Sequence, residues 1–248
     1  MILKQHRTKR KYFLAAFGIF YFFILSLFFM PYVSGEVVVF DDYQTRISFH
    51  DEQLTIERNI ILKNVGSNPI IPGELHFKLH EIKKGKKIPI DVYDFKVTNY
   101  YNKELKSRIV KGNQETDLVV SIWEPVLPKF TYKINIQYSI NFEPKGILFH
   151  EIKIPMEETT IPIRSSTQQL LLDKKYHITY APEAKLSLVS IDGKEKRKIE
   201  WQDKKNMIVE YSLLPLPKLG IRAVNIFWGI MILALLLSTY FIHKRMKR

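Results

Sequence analysis

Two long apolar runs without a charged side chain lie near opposite ends of this 248-residue chain, and basic residues flank each of them. The first run is Tyr12–Met30 and the second is Ala223–Ile242. A helix rises about 1.5 Å per residue, so roughly 20 apolar residues match the hydrocarbon layer of a bilayer. We therefore expect a membrane-associated protein whose remaining residues fold outside the lipid.

The first run has the layout of a secretory signal. Five basic residues and no acidic residue precede it, Pro31 follows it, and Val33 and Gly35 fit the small-residue positions of a cleavage site. The sequence thus predicts a signal peptide over 1–35 with cleavage after Gly35. The alternative is an uncut signal anchor, since the run exceeds the roughly 7–15 residues of a usual signal core.

The second run predicts a C-terminal transmembrane helix over 223–242. Trp228 and Tyr240 lie near its two ends, where amphipathic rings favour the membrane interface. The tail 243–248 carries four basic residues and no acidic one, which predicts a cytoplasmic C-terminus. The bulk of the chain is then extracytoplasmic at a cell membrane, in a single-pass protein after signal cleavage or a two-pass protein without it.

The net charge of +13 does not indicate nucleic-acid binding. Five of these charges lie in residues 1–11 and four in 243–248, which leaves +4 for everything between. Basic residues beside apolar runs set membrane topology. The partners predicted from charge are therefore the lipid bilayer and no nucleic acid.

Alternation of apolar and polar residues dominates the middle of the chain. The clearest case is Tyr132–Phe142, where six apolar residues alternate with Lys, Asn, Gln and Ser. This period of two is typical of an antiparallel strand with one buried face. Roughly ten to twelve such strands at short spacing predict a mainly β fold, with one large sandwich or two stacked sandwich lobes.

Turn residues divide this β region. Gly85 in a lysine-rich segment and the pair Asp192-Gly193 predict hairpin turns, and Glu143–Gly146 is the best candidate for a boundary between two lobes. Pro215 and Pro217 predict a stiff spacer that lifts the domain off the membrane. The predicted segments are a first lobe 36–145, a second lobe 146–212 and a spacer 213–222.

Residue patterns for catalysis or cofactor binding are lacking. The chain has no cysteine, which excludes disulfides and thiolate sites. His76 and His80 fall in an alternating segment, and four residues along a strand span about 13 Å, too far for one metal ion. The adjacent Glu157 and Glu158 point to opposite faces of an extended chain. We therefore predict a non-catalytic protein without cofactor or metal.

Aromatic residues supply the candidate ligand or partner surface: Tyr93, Tyr100, Tyr101 and Trp123. The absence of catalytic motifs and the short basic tail favour an accessory or scaffold subunit of a membrane complex. The alternative is a surface module that binds a glycan, a peptide or an envelope polymer in an aromatic groove.

One stretch resembles a known family. Asp91–Phe142 contains DVYDFKVTNYYNKELKSRIVKG followed by DLVVSIWEPVLPKFTYKINIQYSINF, a succession of strand, polar turn, strand, Pro-containing bend and long Tyr-rich strand. This layout, with a signal, two β lobes and a C-terminal span, resembles the ectodomain of ribophorin I, a non-catalytic subunit of the oligosaccharyltransferase complex. The resemblance implies a scaffold role in protein glycosylation and no site residues.

This chain departs from the ribophorin pattern at its C-terminus. It is much shorter and ends six residues after the apolar run. The turn LKNVGSNPI, residues 62–70, is also similar to turns in unrelated exported sandwiches, including the translocon-associated β subunit. We therefore expect no counterpart of the tail regions that some relatives carry.

Overall fold

The computed structural model describes residues 37–246, apart from Asp51, Lys145, Ile147, Asp192, Lys205 and Asn206. The predicted signal or anchor over 1–35 and its cleavage site lie outside the described residues. So do the last two residues of the basic tail.

The described residues form fifteen β-strands and one α-helix, which confirms the prediction of a mainly β fold with a C-terminal apolar helix. The strands are β1 Val38–His50, β2 Gln53–Asn64, β3 Gly73–Lys83, β4 Lys86–Pro89, β5 Val92–Asn99, β6 Ser107–Lys111, β7 Thr116–Ile122, β8 Thr131–Asn141, β9 Phe149–Lys153, β10 Met156–Thr159, β11 Ser166–Asp173, β12 His177–Tyr180, β13 Lys185–Ile191, β14 Lys194–Gln202 and β15 Ile208–Ser212. The helix α1 is Ala223–Met246.

Three sheets carry these strands. The largest has seven strands in the order β13-β14-β11-β1-β2-β8-β5. The second has the order β10-β3-β7-β6, with β4 beside β3, and the third has the order β12-β15-β9. Two pairings connect the two predicted lobes: β1 pairs in parallel with β11, and β3 pairs with β10.

The sheets share one hydrophobic core. Alternating burial along β2 and β8 turns one face of the seven-stranded sheet inward. Across that core, the rings of Phe40 from β1 and Phe77 from β3 stack with their centroids 5.8 Å apart. Phe49 at the far end of β1 lies 6.3 Å from the ring of Tyr211 in β15, which brings the third sheet into the same core.

A β-bulge in β1 changes which residues face the core. The register with β2 shifts between Phe40 and Asp42. Before the shift the even-numbered Phe40 points inward, and after it the odd-numbered Tyr43, Ile47 and Phe49 do. An extra residue on one strand of an antiparallel pair produces this change of phase.

The two predicted hairpin turns are confirmed. Gly85 joins β3 to β4 with φ of 76°, and Gly193 joins β13 to β14 with φ of 73°. Left-handed backbone of this kind costs little only for glycine, because a Cβ atom would crowd the neighbouring carbonyl.

Helix α1 is long and apolar enough to cross a membrane, with a mean hydropathy of 2.0 over its most apolar window. Its side chains beyond the first turn are mostly exposed to the surroundings. The preceding segment 213–222 runs against the domain: the backbone N–H of Leu219 donates to the carbonyl oxygen of Thr179 over 2.7 Å, and Lys218 donates to the carbonyl oxygen of Ala184 over 3.3 Å.

Candidate functional site

The junction between the β domain and α1 is built around a buried carboxylate. Glu210 of β15 is only 3% exposed. Its Oε1 accepts a hydrogen bond of 2.7 Å from the backbone N–H of Ala223, the first residue of α1, and one of 2.8 Å from the hydroxyl of Thr179. Its Oε2 accepts a longer bond of 3.4 Å from the backbone N–H of Val224. A strand residue therefore caps the N-terminus of the helix, where a negative charge also interacts favourably with the positive end of the helix dipole.

A second set of contacts surrounds this cap. Arg222 donates to Oε2 of Glu151 in β9 over 2.6 Å, and its guanidinium lies 5.9 Å from the ring centroid of Tyr180. One turn into the helix, the ring of Phe227 lies 6.2 Å from that of Phe149. We call Glu151, Thr179, Glu210, Arg222 and Ala223 the junction. It ties α1 to all three strands of the smallest sheet.

A buried ion pair joins the two larger sheets. Arg58 lies on the inward face of β2 between Ile56 and Ile60, and its side chain is 5% exposed. Its Nη2 lies 2.5 Å from Oε2 of Glu157 in β10 and donates to the hydroxyl of Tyr138 over 2.6 Å. The hydroxyl of Tyr43 in β1 donates to the other oxygen of Glu157.

The environment of this pair decides its charge state. Burial acts to lower the pKa of Arg58, but Glu157, Tyr138 and Tyr43 together raise it above its ordinary value. Burial raises the pKa of Glu157, and the guanidinium of Arg58 opposes that shift. Each charge is therefore tolerated in the core because of its partner.

A cavity of about 210 Å³ adjoins the pair. Its wall includes Arg58, Glu157, Ser166, Asp203 and Lys204. Glu157 is paired with Arg58, and Lys204 is paired with Glu183. Asp203 accepts a hydrogen bond of 2.8 Å from the backbone N–H of Ser166. Arg58 also has two nitrogens, Nε and Nη1, without a hydrogen-bond partner among the described residues. The cluster thus links the two sheets but leaves two nitrogens of the Arg58 guanidinium group without a hydrogen bond to a described residue.

The four aromatic residues singled out from the sequence do not share one surface. Tyr100 and Tyr101 lie in the turn after β5 with their rings 5.3 Å apart, and Trp123 follows the last residue of β7. All three are strongly exposed, at 69%, 82% and 67%. Tyr93 lies near the start of β5, at the other end of that strand, and is 44% exposed.

Three loops meet at the end that carries Trp123. Ile70 and Val126 form an isolated bridge between the β2–β3 and β7–β8 loops. Asn99 at the end of β5 pairs with Ile134 near the start of β8, which places the β5–β6 turn beside the same loops. Large exposed apolar side chains accumulate there. We call this set the apolar tip: Ile71, Tyr100, Tyr101, Trp123, Leu127 and Phe130.

The apolar tip and the junction lie at opposite ends of the seven-stranded sheet. Val38 at the start of β1 pairs with Asn64 beside the tip loops. Phe49 near the end of β1 contacts Tyr211, which follows the junction residue Glu210. These two positions in β1 are eleven residues apart, or about 36 Å in an extended strand.

The histidines and paired carboxylates occupy the positions expected of a strand. His76 bonds Asp117 over 2.7 Å, and His80 is buried four residues along β3. Glu157 turns inward to Arg58, whereas Glu158 turns outward to Lys87. Within the described part of the chain, no group of three or more His, Asp or Glu side chains has the spacing of a metal site.

Comparison with known proteins gives distant likenesses. No protein-family model matches the chain. An uncharacterized protein of Methanocaldococcus jannaschii is 26% identical over 134 residues, which cover 53% of this chain and 90% of that protein. Crystal structures of the M1 zinc metallopeptidase from Deinococcus radiodurans align with TM-scores of 0.41 and 0.40 at 9% and 10% identity. The alignments cover 71% and 74% of this chain, which spans less than half of those structures, 42% and 44%.

Proposed function

We propose that this chain is a membrane-anchored, non-catalytic β-sandwich protein that serves as an accessory subunit of a membrane complex. The two larger sheets form the sandwich, as the stacking of Phe40 on Phe77 across the core supports. Helix α1 is the anchor, with the β domain outside the membrane and the C-terminus in the cytoplasm. The basic residues at the end of α1, His243, Lys244 and Arg245, support this topology.

The observation that carries the proposal is the apolar tip. Soluble surfaces seldom gather several large apolar side chains at one place, and aromatic residues are enriched where proteins bind one another. Trp123 is 67% exposed, and Phe130 is 64% exposed. Charged side chains, among them Lys103, Glu124 and Lys129, surround them on the same loops, which is the composition of a protein interface with a polar rim.

The partner that we propose is another membrane protein that reaches the tip outside the bilayer. The resemblance of Asp91–Phe142 to ribophorin I makes a glycosyltransferase complex the first assembly to search. Strand β1 runs about 36 Å from the tip end of the sheet toward the junction end, so we expect the partner to have a domain of its own that projects from the membrane.

The second candidate function is a surface module that binds a glycan, a peptide or an envelope polymer. The adjacent rings of Tyr100 and Tyr101 favour it, because two exposed aromatic faces suit stacking against sugar or peptide groups. In both candidate functions the same residues form the binding surface, and only the bound molecule differs.

The experiment is a mild-detergent affinity purification of the full chain from its native membrane, with crosslinking and mass spectrometry. The variant changes Tyr101 and Trp123 to alanine. The control changes Ile109 and Val110 to alanine, since both are exposed apolar residues of β6 outside the tip. We expect a membrane protein at near-equal yield with the wild type and the control. The tip variant should lose it roughly tenfold or more, the effect of removing interface hot spots.

Two results would contradict the accessory-subunit proposal. One is a wild-type protein that emerges alone or only as an oligomer of itself. The other is equal recovery of the partner with the tip variant. In the first case, binding of soluble glycans and peptides to wild type and tip variant tests the second candidate function.

A further inference from the structure

A second group of exposed apolar residues surrounds the junction. Leu148 precedes Phe149 at the start of β9, and Leu213 follows the end of β15. Ser212 pairs with Phe149, so these residues are neighbours in the sheet. We call this group the foot: Leu148, Phe149, Leu213, Leu214 and Ile221.

The foot residues are apolar but have few protein neighbours. Leu148 is 46% exposed, Leu214 is 52% exposed, and Leu213 and Ile221 are both 60% exposed. Phe149 is half-buried, and the aromatic neighbour of its ring is Phe227 of α1. The exposed apolar surface is therefore continuous from the domain onto the helix.

We propose that the foot rests in the headgroup layer of the bilayer that α1 crosses, with its apolar side chains turned toward the hydrocarbon. The partner of this surface is the lipid itself. The inference rests on the proposed anchoring of the chain by α1. It adds that the β domain contacts the membrane in one defined orientation.

The position of the helix relative to the hydrocarbon supports this placement. The apolar run begins at Ala223, and its twenty residues match a hydrocarbon layer of about 30 Å, so the boundary of that layer lies near Ala223. The headgroup layer extends roughly 5–8 Å further outward on each side. Glu210 lies 2.7 Å from the backbone nitrogen of Ala223, so the junction itself falls within that layer.

The ring contact of Phe149 places the foot at the same depth. Phe227 is four residues into α1, or about 6 Å below Ala223 along the helix axis. A domain side chain in ring contact with Phe227 therefore reaches the hydrocarbon boundary. Leu148 and Leu213 flank that contact through the pairing of Phe149 with Ser212.

The segment before α1 holds the domain at this depth. Hydrogen bonds from Leu219 to Thr179 and from Arg222 to Glu151 tie residues 213–222 to the domain. The sequence predicts a spacer here that lifts the domain away. A segment bonded at both of these places instead keeps the foot beside the helix wherever the helix inserts.

The absence of cysteine in the chain allows a direct test in the full protein. Single variants Leu148→Cys, Leu214→Cys, Leu236→Cys and Tyr101→Cys are labelled with an environment-sensitive fluorophore and reconstituted in phosphatidylcholine vesicles. Spin-labelled lipids at two depths then quench the fluorophore. Leu236 in the middle of α1 reports the anchoring, and Tyr101 in the apolar tip is the matched exposed control.

We expect strong quenching at Leu236 by the deep spin label and little quenching at Tyr101. Labels at positions 148 and 214 should shift to shorter emission wavelength and be quenched most by the shallow spin label. Labels at 148 and 214 that behave like the label at Tyr101, with Leu236 still quenched, would overturn the inference and leave the anchoring intact. An unquenched label at Leu236 would overturn the anchoring itself.

Discussion

Two arginine–glutamate pairs in this protein have similar contacts and very different surroundings. Arg58 and Glu157 meet over 2.5 Å in the core, with side chains 5% and 14% exposed. Arg108 and Glu74 meet over 2.7 Å on the outer face of the five-stranded sheet, with side chains 50% and 33% exposed. The contact distances alone would suggest that the two pairs contribute equally to stability.

Water explains the difference between the two pairs. An exposed pair exchanges one set of solvated contacts for another and contributes little to stability. A buried pair has lost its hydration, so each charge depends on the other. Removal of one partner leaves the second as an unpaired charge in the core. The junction lies between these cases, because Glu210 is buried but is bonded to a hydroxyl and to backbone N–H groups rather than to a cation.

The largest effect is expected from Arg58→Met. This change keeps an unbranched side chain but leaves Glu157 without its cation, which should lower the free energy of unfolding by about 3–5 kcal/mol. Urea unfolding of the detergent-solubilised full chain, followed by circular dichroism, measures it. The double variant Arg58→Met, Glu157→Met should recover most of the loss, since apolar residues of similar volume often replace a buried pair without cost. If the single variant were as stable as wild type, the buried Glu157 would not depend on Arg58 as its partner.

An intermediate effect is expected from Glu210→Ala. The change removes the acceptor of the Ala223 and Val224 N–H groups and should destabilise the start of α1 by about 1–2 kcal/mol, as for other helix caps. Hydrogen exchange at the amides of these two residues is the measurement, and exchange should become faster. Glu210→Gln retains one acceptor oxygen and should lie between alanine and wild type. Unchanged exchange in the alanine variant would contradict the capping role.

A smaller effect is expected from Arg222→Gln at the rim of the junction. Its pair with Glu151 is partly exposed, at 34% and 31%, so the loss should be about 0.2–1 kcal/mol. The same exchange experiment tests it, and protection at Ala223 should fall less than in Glu210→Ala. A loss equal to that of Glu210→Ala would mean that the partly exposed pair, rather than the buried cap, holds the helix.

The smallest effect is expected from Glu74→Gln, and it should depend on pH. The hydrogen bond from Arg108 lowers the pKa of Glu74 below its ordinary value of 4.5. The pair therefore adds stability above that pH and loses it as the pH falls through the lowered value. The melting temperatures of wild type and variant should differ slightly at pH 7 and converge in acid. A difference that grows in acid would reverse the assigned sign.

Local patterns in the sequence predicted several elements. The alternation over Tyr132–Phe142 corresponds to β8, and Gly85 and Gly193 lie in the turns that were predicted. Both features depend on neighbouring residues, because side chains alternate along a strand and glycine relieves a local steric clash.

Alternation in the sequence did not predict other strands, for identifiable reasons. The bulge at Asp41 changes the inward face of β1 from even to odd positions, so no single alternation runs through it. Ser166 and Thr167 begin β11, although polar residues of this kind are typical of connecting segments. Leu170, Leu171 and Leu172 are all buried, so both faces of the sheet are covered at β11 and consecutive rather than alternate residues are hidden.

The sequence by itself determined the mainly β fold and the position of the apolar helix, because periodicity and uninterrupted apolarity are properties of adjacent residues. Only the tertiary structure brought Arg58 to Glu157, which lies 99 positions later, and Glu210 to the first turn of α1. A charged residue within an apolar stripe was the available signal at Arg58. It could not identify the partner, since the pairing of distant strands decides which charges meet in the core.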